Sequence, residues 1–285
     1  MQERQSMRLG YNTNGMAHHD PMQAIELLAE IGYQSVAITV DHHWLSPEST
    51  NSGQQLQQIK QLLQEKQMHS VIETGARFML NPRVKHEPTL LNASAAERQR
   101  RIDFLQYCID TASELSSDCV SLWSGKANDE VTAEAALERL AAGLKPVIEY
   151  AAKAGVTLAF EPEPGMFIDS TSAFSRMLQW IDAPNLQMTM DIGHLYCQGE
   201  FPIADYIQRW EQRIVNVHIE DMRVGVHDHL LFGEGEIDFP PVINALRKIR
   251  YSGGVHVELS RHSHDAPNVA RRAYDFLWPL IQSPT

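Results

Sequence analysis

The chain has 285 residues, of which 43% are hydrophobic and 21% charged, and its formal net charge is −12 at pH 7. That length is enough for one large α/β domain or for two smaller ones. The acidic balance disfavours binding to nucleic-acid phosphates, and no apolar run approaches the roughly 20 residues that a membrane span needs.

The start of the chain and its cysteines give expectations about location. Residues 1–7 lack the apolar core of a signal peptide, and we expect them to be a disordered lead-in. The three cysteines have neither zinc-binding nor paired spacing, so no disulfide framework is expected. Both observations favour a reducing, cytoplasmic location.

Strand patterns and helix patterns alternate along the chain. A first strand over residues 8–11 precedes a helix that Asp20 caps, Pro21 begins and Gly32 ends. Apolar and β-branched runs predict seven more strands, over 35–40, 70–73, 119–123, 156–161, 186–190, 214–219 and 254–258. Helical periodicity predicts further helices near 56–63, 95–115, 131–154, 172–181, 203–210, 241–249 and 268–281.

Eight strands that alternate with helices predict parallel βαβ crossovers. Eight such units in this length match an α/β fold of the (β/α)8 TIM-barrel type, as a single domain over residues 1–285. An open doubly wound sheet is the alternative. It is disfavoured because the turn at residues 10–15 is not the GxGxxG loop that binds phosphate in many such sheets.

Four predicted strands end on a side chain that can bind a metal or transfer a proton. These side chains are Glu161, Asp191, His218 and Glu258. Functional groups of such a barrel stand at the carboxyl ends of the strands, so we expect the four to meet there. Three carboxylates would repel one another, and one divalent cation removes that conflict. The oxygen-rich set favours Mn²⁺ first, with Mg²⁺, Co²⁺ or Zn²⁺ also compatible.

A layer of hydrogen-bonding residues is predicted beneath these ligands. Side chains alternate along a strand, so the residue two positions earlier points the same way, one layer deeper. Thr189, Asn216 and His256 occupy these positions. We expect them to orient the ligands above them.

A second polar group follows the third strand. Glu73 ends that strand, Arg77 follows it, and Arg83, Lys85 and His86 lie in a long irregular segment. Loops of this length are often functional. Two interpretations stay open: a solvated loop, or an anion clamp for a phosphate or carboxylate of the substrate.

Other polar and aromatic residues near the predicted strand ends are open to two interpretations. Trp123 either walls a sugar pocket or packs in the core. Glu163 either hydrogen-bonds the substrate or is exposed. Glu220 and Asp221 are expected to be loop-side carboxylates.

Five motifs together resemble the xylose isomerase-like TIM-barrel superfamily over essentially the whole chain. They are residues 158–164, 191–194, 217–221, 233–238 and 257–258. That superfamily holds sugar phosphate isomerases and epimerases, ketose 3-epimerases, inosose dehydratases and the endonuclease IV class of DNA-repair enzymes. The motifs are specific for the superfamily and not for a substrate.

The resemblance implies a role for each matching residue. The four strand-end residues would be the ligands of one divalent metal, and Glu161 and Glu258 would also be the catalytic acid/base pair. His194, in the Asp-x-x-His motif, would contact the substrate or a second metal. Arg223 and His229 would bind the substrate.

The resemblance therefore implies an enzyme that isomerises or epimerises a sugar, sugar phosphate or related polyol. The expected route is proton transfer through a metal-stabilised enediolate, to which acid–base groups contribute on the order of 10²–10⁴-fold. The expected partner is a small carbohydrate, with no nucleic acid and no membrane, and a homo-oligomer is compatible with the sequence.

Three alternatives stay open at this point. A metal-dependent dehydratase would use the same intermediate, and a non-catalytic binding protein would keep the same pocket. A multi-metal phosphoester hydrolase of the endonuclease IV type is disfavoured. The third strand ends without a histidine, and His227 stands where that branch has the aspartate of its Asp-x-His motif.

Overall fold

The computed structural model describes residues 7–282, so all but the last residue of the expected lead-in lies outside the described residues. The strands are β1 (Arg8–Asn12), β2 (Ser35–Thr39), β3 (His69–Glu73), β4 (Val120–Leu122), β5 (Leu158–Phe160), β6 (Leu186–Asp191), β7 (Ile214–Ile219), β8 (Asp221–Arg223), β9 (Val226–Leu230) and β10 (Gly254–Val257). β8 and β9 pair as an antiparallel hairpin. The others close into a parallel barrel in the order β1-β10-β7-β6-β5-β4-β3-β2. The predicted (β/α)8 barrel is confirmed, and the open sheet is excluded.

Helices surround the barrel. They are α1 (Pro21–Ile31), α2 (Ser52–Lys66), α3 (Ala95–Leu115), α4 (Ala133–Ala154), α5 (Thr171–Leu178), α6 (Ile192–Cys197), α7 (Ile203–Arg209), α8 (Phe239–Lys248) and α9 (Ala266–Gln282). None of the helices within residues 7–282 has the length and apolar composition of a bilayer span.

The first helix begins and ends at the residues that the sequence predicts. The Asp20 carboxylate accepts hydrogen bonds from the backbone N–H groups of Met22 and Gln23, at 3.0 and 3.3 Å. Gly32 ends the helix with φ at 117°, a conformation that glycine adopts without strain. Local sequence signals therefore fix both ends of α1.

The apolar core joins the helices to the outside of the barrel. Leu28, Leu105 and Leu144 on three helices belong to one cluster with barrel residues such as Leu9. A separate small cluster contains Ala37, Val71, Cys119 and Ala159, one from each or just before each of four neighbouring strands. On these four strands, small apolar side chains therefore lie beneath the polar strand ends.

Two elements at the mouth were not predicted. The short helix α6 follows β6 directly, and the Asp191 carboxylate caps it by accepting from the N–H of His194 at 2.7 Å. The β8–β9 hairpin follows β7, and its turn contacts α6, where the N–H of Gly225 donates to the carbonyl of Cys197 at 2.9 Å. Helix α6 and the hairpin bring additional histidines to the mouth of the barrel.

Candidate metal centre and active site

Four strand-end side chains meet at one mouth of the barrel, as the sequence predicts. Glu161 follows β5, Asp191 ends β6, His218 lies in β7 and Glu258 follows β10. One ligand atom from each lies within 4.8 Å of those of the others. The parallel register of β6 and β7 sets Asp191 directly beside His218.

His218 stands at the centre of this cluster. Its Nδ1 lies 3.0 Å from Glu161 Oε1, 2.9 Å from Glu258 Oε2 and 3.9 Å from Asp191 Oδ2. Its Nε2 lies 2.9 Å from Glu73 Oε1. The two ring nitrogens thus face different groups: Nδ1 faces the three carboxylates of the mouth, and Nε2 faces Glu73.

The electrostatics are those of buried carboxylates around one imidazole. Burial raises the pKa of Glu161 to about 8, against the opposing effect of His218. Burial acts the same way on Glu258, but the charge and hydrogen bond of His218 outweigh it and hold that pKa below its ordinary value. Burial disfavours charge on His218, yet the surrounding carboxylates outweigh this and raise its pKa well above the ordinary value. The positive charge of His218 thus balances only part of the negative charge of the carboxylates around it.

The donor set fits a divalent cation. Three carboxylates with one imidazole nitrogen suit a borderline-hard ion. Within the described residues, Asp191 Oδ2 is buried and has no hydrogen-bond partner. An unpaired buried carboxylate oxygen is costly, and a cation among the four side chains would satisfy it.

The predicted polar residues are buried beneath the ligands, but Asn216 contacts a ligand whereas Thr189 and His256 hydrogen-bond to other barrel side chains. Asn216 Oδ1 lies 2.8 Å from His256 Nδ1, and its Nδ2 lies 3.2 Å from His218 Nε2. His256 Nε2 in turn lies 2.8 Å from the hydroxyl of Ser35. All these residues are buried, and so is Glu73. The predicted grouping of Glu73 with the loop cations is therefore wrong. The Glu73 side chain faces the barrel interior and contacts His218.

A group of three histidines borders the centre. His194, His227 and His229 have ring nitrogens within 4.8 Å of one another, and the Nε2 atoms of His194 and His227 lie 3.0 Å apart. Burial lowers the pKa of His194 to about 4 and also lowers that of His227, so both rings are neutral at pH 7. Neutral rings can exchange hydrogen bonds with hydroxyls or bind a cation. His227 is a site neighbour that the sequence reasoning missed, although the His-x-His spacing of a strand could have indicated it.

Glu220 and Asp221 are not the loop-side carboxylates that the sequence suggested, since both are fully buried. The Glu220 carboxylate packs against Gly193 of the unpredicted helix α6, and the loop after the hairpin encloses Asp221. Burial raises the pKa of Glu220 well above the ordinary value, and the neighbouring carboxylates of Asp191 and Glu258 raise it further. Asp221 accepts at 2.9–3.1 Å from the backbone N–H groups of Met222, Gly233, Gly235 and Ile237.

The other residues predicted to bind substrate lie in different surroundings. Arg223 is exposed on the hairpin and donates to the carbonyl of Glu234 at 2.7 Å. Trp123 is 8% exposed, and the guanidinium carbon of Arg101 lies 4.8 Å from its ring centre. Glu163 is half-buried, and burial raises its pKa well above the ordinary value. Of these three, Glu163 lies beside the metal centre. One possible ligand atom of Glu163 lies within 4.8 Å of those of Glu161 and His194.

The cations of the predicted clamp do not form one group. Arg83 and Lys85 are exposed on their loop. His86 is half-buried, its Nδ1 lies 2.7 Å from the carbonyl of Gly75, and burial lowers its pKa to about 4. Arg77 alone lines a cavity of about 240 Å³.

The chain belongs to the xylose isomerase-like TIM barrel family, whose model matches residues 25–279. Among curated relatives, the inosose dehydratase of Lacticaseibacillus casei is 29% identical over an alignment of 138 residues, and the match covers 42% of this chain and 46% of that protein. The match thus spans about half the length of that relative. The L-ribulose-5-phosphate 3-epimerase UlaE of Escherichia coli is 24% identical over 254 residues, covering 86% of this chain and 84% of the relative.

Solved structures share the fold. A D-tagatose 3-epimerase-like protein has a TM-score of 0.76 at 20% identity, covering 95% of this chain and 98% of its own. An L-ribulose 3-epimerase has a TM-score of 0.78 at 18% identity, covering 97% and 95%. At sequence identities this low, the similarity to these structures shows a shared fold alone.

Proposed function

We propose that the protein is a divalent-metal-dependent epimerase or isomerase of a sugar, sugar phosphate or related polyol. The main observation in support is the position of Glu161 and Glu258, whose carboxylates both lie within 3.0 Å of His218 Nδ1. Asp191 completes a set of donors that fits one metal, for which Mn²⁺ is our first choice. The similarity to the L-ribulose-5-phosphate 3-epimerase supports this class of reaction.

The proposed chemistry needs one group that removes a proton from the carbon beside a carbonyl and one that returns it. Before metal binds, burial raises the pKa of Glu161 to about 8, whereas His218 holds that of Glu258 low. Metal binding would favour the deprotonated form of Glu161, so in the loaded protein both carboxylates are able to take up a proton. Their positions beside His218 Nδ1 make them the two groups that can exchange a proton with a bound substrate. A bound divalent metal would polarise the substrate carbonyl and offset the charge that develops on its oxygen.

Other residues would hold the substrate in place. The neutral rings of His194 and His227 border the centre and offer ring nitrogens to substrate hydroxyls. The Nδ2 group of Asn14 donates to Glu258 Oε1 at 2.7 Å and so orients that carboxylate. Fixed geometry of this kind is what brings a carboxylate within reach of one particular proton.

The test is Glu258→Gln in protein loaded with Mn²⁺. Glutamine keeps the size of the side chain and an oxygen for Asn14, but it cannot take a proton. We expect a folded protein whose turnover of ketoses falls by about 10²–10⁴-fold. Glu149→Gln, on the exposed face of α4, is the matched control. Undiminished turnover in Glu258→Gln contradicts the proposal.

A dehydratase is the second candidate, and the match to the inosose dehydratase favours it. The same proton abstraction would be followed by cleavage of a neighbouring C–O bond, with the leaving hydroxyl protonated to water. Mass spectrometry separates the two reactions, because a dehydratase product is lighter by one water and an epimerase product has unchanged mass.

A further inference from the structure

A cavity of about 240 Å³ opens beside Glu258, between the loops that follow β1, β2 and β3. Asn14 lines it and donates to Glu258 Oε1 at 2.7 Å, so the cavity adjoins the proposed base. A cavity that holds one water molecule needs only ~10–15 Å³. The space therefore fits several substrate atoms beyond the reacting carbon.

The charge of this cavity is paired within the protein. Among the described residues that line it, Arg77 is the one Lys or Arg, and Asp41 is the one Asp or Glu. Arg77 Nε lies 3.6 Å from Asp41 Oδ2, and Arg77 Nη2 donates to the carbonyl of Asn14 at 2.7 Å. Arg77 has five N–H groups, of which the Asn14 carbonyl takes one on Nη2. The Asp41 carboxylate stands beside Nε, so a phosphate that binds Arg77 would also stand close to this negative charge.

The rest of the polar lining indicates a different ligand. It carries hydroxyl, amide and imidazole groups, from Thr13, Thr39, Asn14, His18, His42 and His43. A ligand hydroxyl both donates and accepts, so it can pair with groups of each of these kinds.

We propose that this cavity receives the far end of an uncharged polyhydroxy substrate, and that Asp41 is a specificity residue that excludes anionic ends by pairing with Arg77. This inference rests on the proposed function and narrows it to unphosphorylated sugars. A terminal phosphate in the cavity would meet the negative charge of Asp41 as well as the guanidinium of Arg77.

The experiment compares L-ribulose with L-ribulose 5-phosphate in protein loaded with Mn²⁺. For the wild type we expect a higher kcat/KM for the unphosphorylated sugar. Asp41→Asn keeps the side-chain size and the acceptor for the N–H of His42, which lies 2.8 Å away, but removes the charge. We expect this variant to shift the ratio of the two kcat/KM values toward the phosphate by about tenfold. Asp205→Asn, exposed on α7, should leave the ratio unchanged.

Binding of both sugars to the same proteins is measured by calorimetry in parallel, so the charge preference is also read without turnover. A wild type that prefers the phosphate in both assays, or an Asp41→Asn variant with an unchanged ratio, overturns the inference. A protein that binds the neutral sugar more tightly but converts neither sugar overturns the proposed function and upholds the charge preference of the cavity.

Discussion

His218 has two ring nitrogens with separate partners, and this separation orders the centre. Its Nε2 lies 2.9 Å from Glu73 Oε1, and the Nδ2 group of Asn216 donates to the same oxygen at 3.4 Å. A proton on Nε2 would be donated to Glu73, which leaves the Nδ1 lone pair for a metal. Glu73 thus acts through His218 and has no need to touch the substrate.

The first prediction concerns metal affinity in Glu73 variants. Glu73→Ala removes the acceptor for His218 Nε2, so the ring is free to rotate or to change tautomer. We expect a folded protein that binds Mn²⁺ about 10–100-fold more weakly in chelator competition. Glu73→Gln keeps an oxygen acceptor and should recover most of the affinity. Equal affinity in Glu73→Ala and the wild type would leave this positioning role without support.

At the scale of elements, the pattern of the sequence predicts the strands but not what covers the mouth. Alternation along β7 and β10 correctly places Asn216 and His256 beneath the ligands. Helix α6 has six residues, too few for helical periodicity, and it is held by the Asp191 cap and by the hairpin. The contact of Glu73 with His218 joins positions 145 residues apart, and no local signal encodes it. From the sequence alone, Glu73 is therefore predicted to belong to a loop cluster, and Glu220 to be a loop-side carboxylate.

The second prediction concerns the loop after the hairpin, which Asp221 holds through four backbone N–H groups. Asp221→Ala leaves these donors without their acceptor, and we expect the free energy of unfolding in urea to fall by about 3 kcal/mol. Asp228→Ala is the control on the same hairpin, because Asp228 pairs with Arg261 at the surface and should cost less than about 1 kcal/mol. Similar losses in the two variants would argue against a special role for Asp221.

At the scale of the whole molecule, the barrel gathers buried acid groups at one end. Burial raises the pKa of Glu161 to about 8, above its ordinary value, so ionising this group opposes folding increasingly as the pH rises toward 8. The pKa of His218 is also raised, so its stabilising charge is lost as the pH rises through that value. Without metal, both groups make the folded protein less stable at higher pH. Metal binding requires the deprotonated forms of both groups and therefore has the opposite pH dependence.

The third prediction follows from these opposite slopes: Mn²⁺ should raise Tm, and the rise should be larger at pH 8 than at pH 6. A ligand at 100 times its Kd stabilises the native state by about 2.7 kcal/mol. Lower pH weakens the binding, because protons compete for Glu161 and His218. Thermal scans with Mn²⁺ or with a chelator measure the difference, and Asp191→Asn is the control that should lose most of it. Metal analysis of the same samples should give a ratio near one per chain, whereas a multi-metal hydrolase would bind two or three. A Tm that Mn²⁺ leaves unchanged at both pH values would remove the metal centre from the proposed function.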